Sequence, residues 1–210
     1  MIGGNPENAD KPSILAIIGP NGSGKTTIIN KTDVKLKYGS AYINPDDYVK
    51  SLKENIDIGR KYLIAKEECT TIRQNLVNDK QSFSFETVGS TKEKVEFLRK
   101  TSNEGYEISI LFITTRDPSI NITRVKKRYS RGGHDVPEDK IINRYWRTMS
   151  YLKDYIEIAD EIRVFDNSSD YPIEVFRKID DEMMILKEPS SIKWVEEYIF
   201  KAYPHCKRCL

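Results

Sequence analysis

The sequence predicts an α/β domain, a P-loop, kinase-like, mostly parallel sheet flanked by helices, and three observations carry that prediction. Strand-like and helix-like segments alternate along nearly the whole chain. The apolar run Ile14-Leu15-Ala16-Ile17-Ile18 leads directly into Gly19-Pro20-Asn21-Gly22-Ser23-Gly24-Lys25-Thr26, a complete G-x-x-x-x-G-K-T loop, and helix-tolerant sequence follows from Lys25. Acidic and hydroxyl residues recur where later strands give way to loops, the edge of an open α/β sheet at which functional groups gather.

Strands are expected at 13–18, 41–43, 83–86, 107–114 and 161–165, and helices at 25–36, 59–78, 91–103, 118–129 and 137–158. Pro45 biases Asn44 toward an extended shape, and of the two carboxylates that follow, Asp46 and Asp47, one can cap the next segment while the other does chemistry. Glu86 ends the apolar-aromatic strand Phe83-Ser84-Phe85 and precedes Thr87. Gly132 and Gly133 break the chain between two long helices, so 130–136 reads as a hinged, arginine-bearing lid with His134 as a hydrogen-bonding member, and Asp135 and Pro137 start the next helix. On that helix Ile141, Tyr145, Met149, Leu152 and Ile156 form an apolar stripe, with Arg144 on its edge and able to turn back toward the cleft. A turn at 166–170 precedes a hairpin or sheet extension at 172–187, and Ser190 begins a final amphipathic helix with Ile192, Val195 and Ile199 on one face. No repeat or linker divides the chain, so 1–210 reads as one domain with a core at about 12–170 and the C-terminal hairpin and helix at about 171–200.

A chain of 210 residues buries a substantial core without disulfides. Its 34 Lys+Arg against 32 Asp+Glu leave a net charge of +2, which argues against a dedicated nucleic-acid binder. The one basic concentration spans 124–131, where Arg124, Lys126 and Lys127 read as surface charges. The polar N-terminal stretch lacks the build of a signal peptide, no apolar run reaches membrane-spanning length, and three cysteines suit a reducing compartment, so a cytoplasmic protein is expected. His205, Cys206 and Cys209 lack a second pair of zinc ligands and read as incidental.

The glycine-rich loop turns backbone N–H groups toward phosphate oxygens. Gly19, Asn21, Gly22, Ser23, Gly24, Lys25, Thr26 and Thr27 are therefore the expected nucleotide-binding residues, with Lys25 on the β- and γ-phosphates and the Thr26 hydroxyl on Mg²⁺. The expected ligand is ATP or GTP. Asp46 stands where a carboxylate could take the proton of an attacking hydroxyl. Glu86 either orients Mg²⁺ through water or holds a substrate hydroxyl. Arg131 and Arg144 are guanidinium candidates for the charge that spreads over a transferred phosphoryl group.

Four segments together resemble the zeta toxin family of small-molecule kinases: 19–27, Tyr42-Ile-Asn-Pro-Asp46-Asp47-Tyr48, Ser84-Phe-Glu86-Thr87, and Ser130-Arg131-Gly-Gly-His134-Asp-Val-Pro137 through Arg144-Tyr-Trp146. The resemblance spans about residues 12–170. It implies transfer of a γ-phosphoryl group to a hydroxyl of a small molecule, UDP-N-acetylglucosamine first among them. It implies Lys25 on the phosphates and Asp46 as base. Glu86 would bind substrate, and Arg131 and Arg144 would clamp the phosphoryl group; Thr87, next to Glu86, and Asp47, next to the base, are further candidate substrate contacts. An antitoxin protein would be the implied partner. The sequence departs from the family pattern in having Asn44 where an Asp is usual, and Tyr48-Val49-Lys50 without a His-Pro after Asp47. A nucleoside or polynucleotide kinase would share loop, base and arginine lid, although a polynucleotide strand wants a basic or aromatic groove. An ABC-type ATPase needs a Leu-Ser-Gly-Gly-Gln-like signature, and the only Gly-Gly after the loop is the one following Arg131. A binding module without catalysis would leave Asp46, Glu86 and the lid arginines without purpose.

Overall fold

The computed structural model describes residues 11–30, 41–53, 55–131, 136–186 and 192–208. In chain order its main elements are β1 (Ser13–Ile18), α1 (Lys25–Asn30), β2 (Ala41–Ile43), α2 (Pro45–Ser51), α3 (Ile58–Asn78), β3 (Phe83–Thr87), α4 (Lys92–Asn103) and β4 (Glu107–Thr114). There follow α5 (Pro118–Tyr129), α6 (Glu138–Ser150), α7 (Leu152–Ile158), β5 (Glu161–Asp166), β6 (Ile173–Ile179), β7 (Glu182–Ile185), α8 (Lys193–Val195) with a π-helical turn over Glu196–Phe200, and β8 (Lys207–Arg208).

The described strands form one sheet in the order β2-β3-β1-β4-β5-β6-β7-β8. The first five run parallel, β6 and β7 are added antiparallel, and β8 lies parallel to β7. β1 therefore sits between β3 and β4, and the loop after it opens at the point where the chain moves to one side of β1 and then the other, the position at which open α/β sheets bind ligands. The inner strands are buried on both faces, as their continuous apolar runs require. Ile14, Ala16, Ile18, Phe83, Phe85, Ile110 and Phe112 face one layer, packed with residues of α3, α4, α6, α7 and the C-terminal helix. Leu15, Ile17, Leu111 and Ile113 face the other, against Ile29 of α1.

Departures from expectation have local causes. The predicted helix 137–158 divides at Tyr151 (φ −91°, ψ 0°). One turn earlier the Thr148 hydroxyl sits 2.7 Å from Arg144 O and 3.0 Å from Val88 O, a back-bonding geometry that bends helices. Helix α2 is capped by Asn44, whose Oδ1 accepts from Asp46 N at 3.0 Å, with Pro45 in the first turn. The capping role weighed for Asp46 and Asp47 thus belongs to Asn44. The C-terminal helix begins at Lys193, after Ile192, and buries Val195 and Ile199 as expected. The expected extension of α1 to residue 36, the lid residues 132–135 with His134, and Cys209 lie outside the described residues.

Candidate active site

The phosphate loop is gripped from outside by two asparagines. Asn121 of α5 donates from Nδ2 to Asn21 O at 2.6 Å, and Asn167, just past β5, donates from Nδ2 to Ser23 O at 2.7 Å. Gly22 and Gly24 have φ of +77° and +92°. A Cβ on Gly22 would meet Asn121 O at 2.5 Å, and one on Gly24 would meet Asn167 Nδ2 at 2.3 Å. Glycine is thus demanded by the protein's own packing as well as by the concave side of the loop. Gly19 N donates to Thr87 O at 3.3 Å, tying the loop to the end of β3. On the open side Thr26 and Thr27 are exposed. Ser23 Oγ is buried without a hydrogen-bond partner among the described residues, a donor that a phosphate oxygen in the loop would satisfy.

Lys25 is buried and donates from Nζ to Gly19 O at 2.7 Å and Pro20 O at 3.2 Å. Burial pulls its ammonium below the ordinary lysine pKa, Glu86 and then Asp46 oppose that drop, and Arg128 adds to it. These charges therefore act on one small space. Glu86 is a hub: its oxygens accept from Thr26 Oγ1 at 3.2 and 3.3 Å, Tyr42 OH at 2.9 Å and Asn44 Nδ2 at 3.4 Å, with Lys25 Nζ 4.0 Å away. Burial, then the Glu86 charge, pushes the Tyr42 phenol far up, so it stays a donor. A hydroxyl and a carboxylate side by side make an oxygen-only donor pair of the kind Mg²⁺ prefers, its remaining positions being left to water and phosphate. Thr87, by contrast, is used in its own turn, Oγ1 accepting from Gly89 N at 3.3 Å.

Asp46 lies in the first turn of α2 with half of its side chain exposed. Arg128 Nη1 of α5 is 3.9 Å from its Oδ2, and the Tyr62 hydroxyl of α3 hydrogen-bonds to it. Burial and the Asp46 charge push the Tyr62 phenol up to about 12. Asp47 instead pairs with exposed Lys50 at 2.8 Å. Arg144 of α6 donates from Nη1 to Asn21 Oδ1 at 3.2 Å, so it does turn back to the loop. Arg131 is exposed, three residues past Arg128, and the contacts described for the loop do not include it. Arg124, expected on the surface, is half-buried, and its Nη1 is buried without a partner among the described residues. Sequence reasoning had no signal for Tyr42, Tyr62, Asn121 and Asn167 as members of the site. Beside the loop, at the carboxyl ends of β4 and β5, opens a cleft of about 650 Å³ lined by Arg116, Asp117, Asp166, Ser168, Lys193 and Trp194 among others.

Strand order, phosphate loop and flanking carboxylates define a P-loop α/β domain of the kind P-loop kinases share. A model of the zeta toxin family matches residues 3–177, and the chain belongs to that family. An uncharacterized protein of Haemophilus influenzae is 28% identical over 133 residues, covering 60% of this chain and 88% of that protein. In fold, the chain is similar to the crystal structure of AvrRxo1-ORF1:-ORF2 with ATP (TM-score 0.72, 15% identity, 91% of this chain) and spans only 64% of that longer chain. It is also similar to a structure from the PezAT chromosomal toxin-antitoxin system of Streptococcus pneumoniae (TM-score 0.58, 18% identity, 91% of this chain and 80% of that one). Among the described residues no helix is long and apolar enough to cross a membrane.

Proposed function

We propose that this protein is a magnesium-dependent kinase that moves the γ-phosphoryl group of ATP or GTP onto a hydroxyl of a small molecule, with a UDP-amino sugar such as UDP-N-acetylglucosamine first among the acceptors. The supporting observation is Asp46, a half-exposed carboxylate steadied by Tyr62 and close enough to the phosphate loop for Lys25 to feel its charge. In this reading Asp46 accepts the proton of the acceptor hydroxyl as its oxygen attacks phosphorus. Lys25 exchanges its two carbonyl partners for the β- and γ-phosphates, and Arg144 reaches the transferred group from its place on Asn21. Thr26 and Glu86 would hold Mg²⁺, Glu86 through water, and the ion would supply positive charge against the charge developing on the phosphoryl group. The cleft beside Asn167 would take the nucleobase. An antitoxin protein that covers the site is the proposed partner, by analogy with the toxin-antitoxin system of the pneumococcal neighbour, and the cytoplasm, where ATP and UDP-sugars are available, is the proposed location.

The test is an acceptor panel with labelled ATP or GTP and Mg²⁺, containing UDP-N-acetylglucosamine, other UDP-sugars, nucleosides and 5′-hydroxyl oligonucleotides, read by mass spectrometry. UDP-N-acetylglucosamine should gain one phosphoryl group. Labelling of a nucleoside or an oligonucleotide in its place would overturn the acceptor and leave the kinase standing. If nothing on the panel is labelled while Asp46→Asn hydrolyses ATP as fast as the native protein, the kinase reading itself fails.

A further inference from the structure

One face of α5 runs from the phosphate loop to the proposed base. Asn121 holds Asn21 O at one end, and Arg128 stands 3.9 Å from Asp46 Oδ2 at the other. These two residues are about two turns apart, ~10 Å along the axis. Arg124 lies between them, three residues from one and four from the other, which is the spacing of a shared helix face. The opposite flank of the helix packs Ile122 and Val125 against Val136 and Ile141. Arg124 therefore lies on the flank of that face which is not taken up by this apolar packing. The residue is half-buried, its Nη1 is buried, and that nitrogen has no acceptor among the described residues. A buried charged donor left unpaired is costly and rare, and the group it suits best is an anion with several acceptor oxygens.

We propose that Arg124 is a phosphate-binding residue that contacts the γ-phosphoryl group of the bound nucleotide, in addition to Lys25 and Arg144. This rests on the kinase reading above. From a position between Asn121, which holds Asn21, and Arg128, which stands by Asp46, its guanidinium would meet the terminal phosphate, nearest the proposed base, and not the α-phosphate. Arg124 changes no protonation state; it supplies N–H donors and positive charge where negative charge spreads during transfer.

The experiment compares binding of Mg²⁺ with ADP and Mg²⁺ with the β,γ-imido analogue of ATP by calorimetry, so it needs no acceptor. Arg124→Ala should weaken the imido analogue about tenfold or more, the worth of a charge-assisted hydrogen bond, and change ADP binding by less than about twofold. Arg124→Met, which keeps the aliphatic stem, should do the same, and Lys127→Ala on the same helix should change neither. Circular dichroism and thermal unfolding verify that each variant is folded. Equal losses for both nucleotides in the Ala and Met variants, or no loss for either, would overturn the inference while leaving the kinase reading intact. If the native protein binds neither nucleotide, the kinase reading falls and this inference with it.

Discussion

Asn44→Asp tests whether the Glu86 corner is held by charge complementarity. Asn44 Oδ1 caps α2, and its Nδ2 lies 3.4 Å from Glu86 Oε2 and 3.5 Å from Tyr42 OH. Aspartate caps a helix as well as asparagine does, so the cap survives while the donor facing Glu86 becomes an oxygen. Two unit charges at 4 Å repel by ~4 kcal/mol at an effective dielectric of 20. Exposed Thr26 admits water on one side and Lys25 stands 4.0 Å from Glu86, so about half of that should remain, a loss of ~2 kcal/mol at neutral pH.

The sign with pH follows from linkage. In the new pair the repulsion between two carboxylates holds one of them protonated to higher pH in the folded protein than in the unfolded chain. The penalty is absent below about pH 4, grows as pH climbs through the next one to two units, and is constant above. Urea unfolding of both proteins from acid to neutral pH measures it. Added Mg²⁺ should restore part of the lost stability in the variant and little in the native protein, because only the variant offers two carboxylates and a hydroxyl together. A variant as stable as the native protein at pH 7, or a deficit that does not change with pH, would refute the charge account.

Asp46→Asn should lower phosphoryl transfer by about a hundred- to ten-thousand-fold, since an amide cannot take the acceptor's proton, with calorimetric Mg²⁺–ATP affinity nearly unchanged. Lys25, whose pKa burial lowers from 10.5, should regain its proton as phosphates arrive, so nucleotide binding just below pH 10.5 should show proton uptake by buffer-dependent calorimetry, and Lys25→Met should abolish it. Trp194→Phe removes the Nε1 donor from Asp166 Oδ2 at 2.7 Å, both residues being buried, and should cost about 2 kcal/mol in urea unfolding, whereas a change under about 0.5 would show that the bond contributes nothing.

What could be read from the chain followed the range of the interactions involved. The phosphate loop and β1 were legible because glycine spacing and an unbroken apolar run are local properties, and the strand-end rule drew attention to Asp46 and Glu86. Helix α2 was hidden because seven residues that open on Pro45 look like a turn until Asn44 is seen capping them. The break at Tyr151 was hidden because the apolar stripe continues across it from Met149 to Leu152 and Ile156. Asn121 and Asn167 escaped because their partners lie 100 and 144 residues away, and Tyr42 escaped because its partner Glu86 lies 44 residues on. A lone polar side chain with a distant partner carries no periodicity. The family pattern pointed to arginines at 131 and 144, but whether a given basic residue of α5 is exposed or half-buried depends on how α5 lies across the sheet, which separates Arg124 from Lys127.

That placement has a mechanical consequence for the proposed reaction. Transfer requires the acceptor oxygen and the phosphorus to be held within about 3–3.5 Å of each other, and small misplacements lose much of the rate. The donor loop and the base are carried by different segments, the loop after β1 and the first turn of α2, so something must fix their separation. Helix α5 touches both, through Asn121 at the loop and Arg128 at Asp46. It is itself tied to Thr115 at the end of β4, whose hydroxyl donates to Asn121 Oδ1, and packed on α6 through Val125 and Ile141. A hydrogen-bonded helix stretches far less than a loop of the same length, so α5 is a rigid element reaching both, hydrogen-bonded at Asn121 and through a half-exposed ion pair at Arg128.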